Sequence, residues 1–250
     1  INTNNKNLNK NENFINIKII SPNFGLKYFL DKEDTNKRLK KLIRYSSPDK
    51  DKKTIFIWPE GALSGKYFNE LKEYESLIKK NFSKKHLIVI GINTLDNNGK
   101  FYNSLLIINN NVEKIFHYNK NKLVPFGEFV PFENFFKKIG FKKITEGFGS
   151  FSEGDKHNVF DYEDTKIVPL ICYEIIFPEL LSQKNFKKSF ILNISEDGWF
   201  GQSIGPKQHF VHSIFRAIES GKYVVRSANN GLSAIVNPIG EIEQSVDYGQ

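Results

Sequence analysis

Short, dense apolar runs recur along the chain and alternate with longer segments in which apolar residues return every third or fourth position. The first rhythm predicts strands at 14–20, 54–58, 87–93, 104–109, 112–118, 166–172, 190–194, 223–227, 233–237 and 241–246. Several are apolar throughout, such as Leu87-Ile88-Val89-Ile90 and Leu105-Leu106-Ile107-Ile108, as expected of strands covered on both faces. The second rhythm predicts helices. Leu39, Leu42 and Ile43 share one face of 35–46, and Leu71, Tyr74, Leu77 and Ile78 share one face of 68–82. A further helix, 206–220, opens on Pro206, suited to a first helical turn, and stops before Gly221. Asn98-Gly99 and Asn230-Gly231 are hairpin signals. With no internal repeat and no second domain boundary, these elements predict a layered α/β sandwich: two mixed sheets face to face, with helices outside.

One segment stands apart. Phe132, Phe135, Phe136 and Ile139 follow helical spacing, Lys137 and Lys138 occupy the other face, and Gly140 ends the run. A loop rich in Gly and Phe follows, including Gly147-Phe148-Gly149. Two readings stand side by side: a helix docked on the domain, or an amphipathic lid whose aromatic face meets lipid and whose lysines meet headgroups.

Composition narrows the class. The chain has 250 residues, enough for one large domain with a substantial core. Residues 1–13 are mostly Asn and Lys and read as a polar linker, leaving 14–250 as the domain. The chain holds no Met, which reads as a fragment of something longer. No run reaches the roughly 18 apolar residues of a membrane span. The net charge of +8 invites a nucleic-acid partner, but the only arginines are Arg38, Arg44, Arg216 and Arg226. Base readout and bidentate phosphate contacts favour arginine, so no nucleic acid is expected. Diffuse lysine suits anionic lipid headgroups instead. A single cysteine excludes an intramolecular disulfide.

That cysteine, Cys172, ends the apolar run Ile167-Val168-Pro169-Leu170-Ile171 and precedes a predicted turn and helix. A lone cysteine of this kind is commonly an inert small hydrophobe. At a strand end before helix amides it is also placed to act as a thiolate. Two other strands end in chemistry: Trp58-Pro59-Glu60 in a carboxylate and Tyr118-Asn119-Lys120 in an ammonium. A thiol needs a base, which Glu60 can supply, and acyl attack needs a donor for the oxyanion, which Lys120 can supply. Glu128 sits in Val124-Pro125-Phe126-Gly127-Glu128-Phe129-Val130-Pro131, where the prolines and Gly127 make a rigid non-helical loop. Taken alone it reads as a surface carboxylate; beside its neighbours it reads as a group orienting Lys120 or the nucleophile's proton. His209 and His212 with Asp197 suggest a metal site, but without a third convincing ligand they read as packing or solvent residues, and neither a metal nor a cofactor is expected.

These motifs resemble the carbon–nitrogen hydrolase (nitrilase) superfamily, and within it the apolipoprotein N-acyltransferases. The resemblance runs through Trp58-Pro59-Glu60, Tyr102-Asn103-Ser104, Lys120, the 123–131 loop, Cys172-Tyr173-Glu174, the 193–201 stretch, 205–210 and Arg226-Ser227-Ala228-Asn229-Asn230-Gly231. It implies an αββα sandwich with Glu60 as base, Lys120 as oxyanion stabiliser and Cys172 as nucleophile carrying an acyl thioester. Glu128, Tyr173 and Glu174 would support the site. Tyr173, Glu174 and Trp199 match positions that line or gate the pocket, and Tyr28, Phe132, Phe135, Phe136 and Phe148 join Trp199 as candidate lipid contacts. The resemblance further implies a phospholipid acyl donor, a diacylglyceryl-modified bacterial lipoprotein as acceptor and a membrane surface as partner. It places the domain on the periplasmic face of the inner membrane, between flanking membrane helices, and implies that this chain stops short of the domain's C-terminal end. The alternative is a soluble amidase of the same superfamily acting on a small amide.

Overall fold

The inner faces of two sheets form the centre of the molecule, and the sequence rhythm explains why. The structure, a computed structural model, describes residues 16–129, 150–155, 157–182 and 189–246. The first sheet has the order β1 (Asn16–Ile19), β2 (Thr54–Ile57), β3 (His86–Leu95), β4 (Phe101–Ile108), β5 (Lys114–Asn119). Its first three strands run parallel, and β4 and β5 are added antiparallel. The second sheet runs β11 (Ile242–Val246), β10 (Ser233–Val236), β9 (Tyr223–Asn229), β8 (Ser189–Glu196), β7 (Thr165–Ile171), β6 (Phe160–Tyr162). Here β7, β8 and β9 are parallel and the outer strands antiparallel.

Strand alternation sorts the apolar runs into three cores. On β2, Ile55 and Ile57 face inward to meet Ile171, Leu192 and Ile194 of the other sheet. Phe56 and Trp58 face outward, against Leu39, Leu42 and Ile43 of α1 (Lys32–Ser46) and Ile78 of α2 (Glu75–Asn81). A third core joins Val168, Leu170, Ile191 and Val224 to Phe210 and Ala217. Buried on both faces, these strands have no polar side to show, hence their continuous apolar spelling. The architecture is the expected αββα sandwich.

The helix ends follow local chemistry. Asp31 caps α1 by accepting from Asp34 N–H at 2.7 Å, and Ser47 closes it in the left-handed conformation at φ 39°. The short α3 (Glu179–Ser182) precedes α4 (Gly205–Ser220), which carries Pro206 in its first turn and ends on Gly221 at φ 61°. The helix predicted over 68–82 is split, with a 3-10 segment Phe68–Tyr74 leading into α2. Tyr67 N–H donates to Glu70 Oε2 at 2.7 Å, a start that tightens the first turns while keeping Leu71 and Ile78 buried. The strand predicted from Val112 begins only at Lys114. Asn109 Oδ1 accepts from Asn111 and Glu113 N–H at 2.9 and 3.0 Å, so Val112 belongs to a turn at φ 55°. Strand β6 was not predicted, because three residues are too few to show a period. The aromatic segment with Phe132, Phe135, Phe136 and Phe148, and the polar linker, lie outside the described residues.

Candidate active site

Three side chains from distant parts of the sequence reach one cavity of about 530 Å³. Glu60 follows the end of β2, Lys120 follows β5 in the same sheet, and Cys172 follows β7 in the opposite sheet. Face-to-face packing of the sheets sets the end of β7 opposite that of β2. Gly91 on β3 permits the approach, since a Cβ there would lie 2.8 Å from the Glu60 Cα.

Glu60 is held from two sides. Its Oε1 accepts from Asn103 Nδ2 at 2.7 Å, and its Oε2 accepts from the backbone N–H of Glu196 at 2.9 Å. The same Asn103 amide donates to Glu128 Oε1 at 2.8 Å, bridging the two carboxylates. Glu128 Oε1 also accepts from Lys120 Nζ at 2.8 Å, and its Oε2 accepts from Val124 N–H at 2.9 Å. The proline-bounded loop folds back on itself through Glu128 N–H to Val124 carbonyl at 2.8 Å, fixing the carboxylate beside the ammonium. Asn103 received no role from its sequence. Its signal was a polar amide inside the largely apolar β4.

The electrostatics follow from burial. Burial is the largest influence on Glu60 and raises its pKa, with Glu128 adding to the rise and Lys120 opposing it. Burial disfavours the Lys120 ammonium, but Glu128, Glu60 and Cys172 together outweigh it and raise its pKa, so it stays charged. Burial and the Glu60 charge push the Cys172 thiol up, while Lys120 and Ser195 pull it down. The net shift is upward, opposite to the one expected from helix amides. The segment Cys172–Ile176 is only a short 3-10 stretch, and burial outweighs whatever its amides offer the sulfur.

Tyr28, Tyr173 and Trp199 line the cavity. They are also partly open to solvent, at 38, 37 and 51% exposure, so they form its rim. Tyr28 and Trp199 stand with ring centroids 5.5 Å apart. Leu26, Leu63 and Phe200 extend the apolar wall. Glu174 departs from its expected place. It is fully buried and does not line the cavity. Its Oε1 accepts from Tyr118 hydroxyl, Asn121 N–H and Lys122 N–H at 2.8, 2.7 and 3.0 Å, and its Oε2 from Ile171 N–H at 2.8 Å. It is a tie that anchors the chain after Lys120 to the strand end before Cys172. Burial raises its pKa to about 6.

A carboxylate that received no role from its sequence, Glu196, lines the cavity wall beside Glu60. It accepts from Asn229 Nδ2 at 2.6 Å, Gly198 N–H at 2.8 Å and Asn230 Nδ2 at 3.1 Å, and burial lifts its pKa to about 7. His209 contacts Asp197 and Arg226, and the His212 ring stands against Phe215. Among the described residues, no group of three or more His, Cys, Asp or Glu could hold a metal ion.

Comparison with known proteins gives concordant likenesses. Residues 19–248 match the family described as carbon-nitrogen hydrolase. The chain is 38% identical over 200 residues to an apolipoprotein N-acyltransferase of Rickettsia prowazekii, covering 78% of this chain and 40% of that protein. It is 34% identical over 240 residues to one of Wigglesworthia glossinidia brevipalpis, covering 92% of this chain and 47% of that protein. The chain thus spans less than half the length of these relatives. In fold it resembles Nit3 of Saccharomyces cerevisiae, a member of branch 10 of the nitrilase superfamily, with TM-score 0.65 at 19% identity over 94% of this chain and 87% of that one. It likewise resembles an amidase from Nesterenkonia sp., with TM-score 0.63 at 14% identity over 94% of this chain and 86% of that one. Among the described residues, no helix is long and apolar enough to cross a membrane.

Proposed function

The chain belongs to the carbon–nitrogen hydrolase family, and from that premise we propose that it is the catalytic domain of a phospholipid-dependent N-acyltransferase acting on bacterial lipoproteins. One observation carries the choice of substrate: Cys172, Glu60 and Lys120 share a cavity of about 530 Å³ with an aromatic and aliphatic wall, far more apolar space than a small amide needs. The names of the relatives support the same reading.

In this reading Cys172 attacks the ester carbonyl of a phospholipid while Glu60 takes the Sγ proton. Negative charge gathers on the carbonyl oxygen, and the Lys120 ammonium, held by Glu128, stabilises it. The ester C–O bond then breaks, and the departing lysophospholipid alkoxide takes the proton from Glu60. An acyl thioester remains on Cys172. In the second half the α-amino group of a diacylglyceryl-cysteine attacks that thioester, the amide forms, the C–S bond breaks, and the amine's proton passes by way of Glu60 back to sulfur. Two steps through one nucleophile let a single cavity serve two lipid substrates in turn. The rim formed by Tyr28, Tyr173 and Trp199 offers lipid contact, and the site works at a membrane surface, in a bacterium the periplasmic face of the inner membrane.

The test is intact-mass analysis after incubation with phospholipid vesicles. The expected result is one acyl group added to the native protein and none to Cys172→Ala. Turnover of a short amide with no acyl adduct would replace this reading with the amidase. Neither adduct nor turnover would end both.

A further inference from the structure

Beneath Cys172 lies a buried polar cluster to which the reaction above assigns no part. Asp197 and Arg226, both wholly buried, are joined by Arg226 Nη2 donating to Asp197 Oδ1 and Oδ2 at 2.9 and 2.7 Å. Ser195 Oγ donates to Asp197 Oδ1 at 2.7 Å, and Arg226 Nη1 donates to Asn193 Oδ1. His209 of α4 places Nδ1 2.9 Å from Asp197 Oδ1 and 3.2 Å from Arg226 Nη2. The cluster thus joins β8, β9 and α4. Two of its members turn outward to the same atom: His209 Nε2 lies 3.2 Å, and Asn193 Nδ2 3.3 Å, from the carbonyl oxygen of Cys172.

That carbonyl belongs to a residue in an uncommon conformation. Cys172 has φ 51°, a left-handed backbone that non-glycine residues seldom adopt and that persists only where the surroundings hold it. A buried ion pair is weak ground for stability, because desolvation offsets most of its attraction. Its placement under the one strained cysteine calls for another explanation. We propose that His209 and Asn193, locked by Asp197 and Arg226, are positioning residues for the nucleophile: they grip the Cys172 carbonyl from the buried side and maintain the backbone that presents the sulfur to the cavity.

The geometry specifies the grip further. A carbonyl oxygen only accepts, so His209 Nε2 carries a hydrogen there whatever the ring's charge. When the ring is neutral, Nδ1 accepts from Arg226; when it is protonated, Nδ1–H donates to Asp197. The bond to Cys172 survives either way. A trans peptide also points its C=O and N–H in opposite directions. Holding the carbonyl toward the cluster therefore directs the Tyr173 N–H away from it, so one contact orients two groups of the nucleophile turn.

The proposal rests on Cys172 being the nucleophile, but its test needs neither lipid nor lipoprotein. Cys172 is the only cysteine, so alkylation by iodoacetamide, followed by intact mass, reports on it alone. His209→Leu removes the donor, and His209→Gln restores an amide N–H of similar reach. The expected result is alkylation slowed on the order of 10- to 100-fold in His209→Leu and recovered to within about threefold of native in His209→Gln. Asn193→Asp keeps a partner for Arg226 but withdraws the second donor, and a similar slowing is expected. A folded His209→Leu or Asn193→Asp protein alkylated at the native rate overturns the proposal, as does a His209→Gln protein no faster than His209→Leu. The cluster is proposed to serve Cys172 rather than the fold, so failure of both variants to fold overturns it as well.

Discussion

Replacing Glu174 tests whether a tie outside the cavity holds Lys120 and Cys172 in reach of each other. In Glu174→Gln the retained oxygen can keep the three donors now on Oε1, from Tyr118, Asn121 and Lys122. The new amide nitrogen then faces Ile171 N–H, donor against donor. One charge-assisted bond is lost and one buried N–H is left unpaired, together about 2–5 kcal/mol. Against this stands the relief of a buried charge. The carboxyl is raised from 4.5 to about 6 in the fold, so its ionised form at pH 7 carries a penalty of about 2 kcal/mol that glutamine avoids. The net loss expected at pH 7 is about 0–3 kcal/mol. Glu174→Leu strips the partner from all four donors, and at about 1–3 kcal/mol each, less the same relief, the loss is about 2–10 kcal/mol. Against a typical stability of about 5–15 kcal/mol, that is a large share. Urea denaturation followed by fluorescence measures both variants, with the slope checked for constancy. A Glu174→Leu protein within about 1 kcal/mol of native stability would refute the reasoning, since it would mean the four donors find other partners at no cost.

Two further predictions concern the other charged groups. Lys120→Ala should slow Cys172 acylation about 100- to 1,000-fold, measured as adduct formation against time; an undiminished rate would remove Lys120 from the oxyanion role. Glu196, raised from 4.5 to about 7, binds a proton more readily in the fold than in the unfolded chain. Its stabilising effect is therefore present below pH 4.5 and lost as pH rises toward 7, a decline of about 3 kcal/mol for this group alone. Glu196→Gln should flatten that part of the stability curve, read from urea midpoints across pH 4.5–7.5; an equally steep decline in the variant would show that other groups set it.

Much of the layered architecture was legible because its causes are local. A run such as Ile55-Phe56-Ile57-Trp58 can bury both faces only in a sheet covered on both sides, and Asn230-Gly231 can turn a hairpin on its own backbone preferences. The split of the 68–82 helix and the late start of β5 were not legible, since each depends on one side chain, Glu70 or Asn109, capturing nearby backbone N–H groups. For the site, the chain by itself determined that a carboxylate, an ammonium and a thiol each follow a strand. Only the tertiary structure decided that strands of two different sheets bring them to one cavity, that Asn103 bridges Glu60 and Glu128, and that Glu196 stands in the wall while Glu174 turns inward. The direction of a side chain at a strand end depends on what packs across from it, and that partner lies a hundred residues away. The same holds for the pKa of Cys172: its place at a strand end before helix amides suggested a lowered value, whereas the depth of burial and the facing charge of Glu60 raise it.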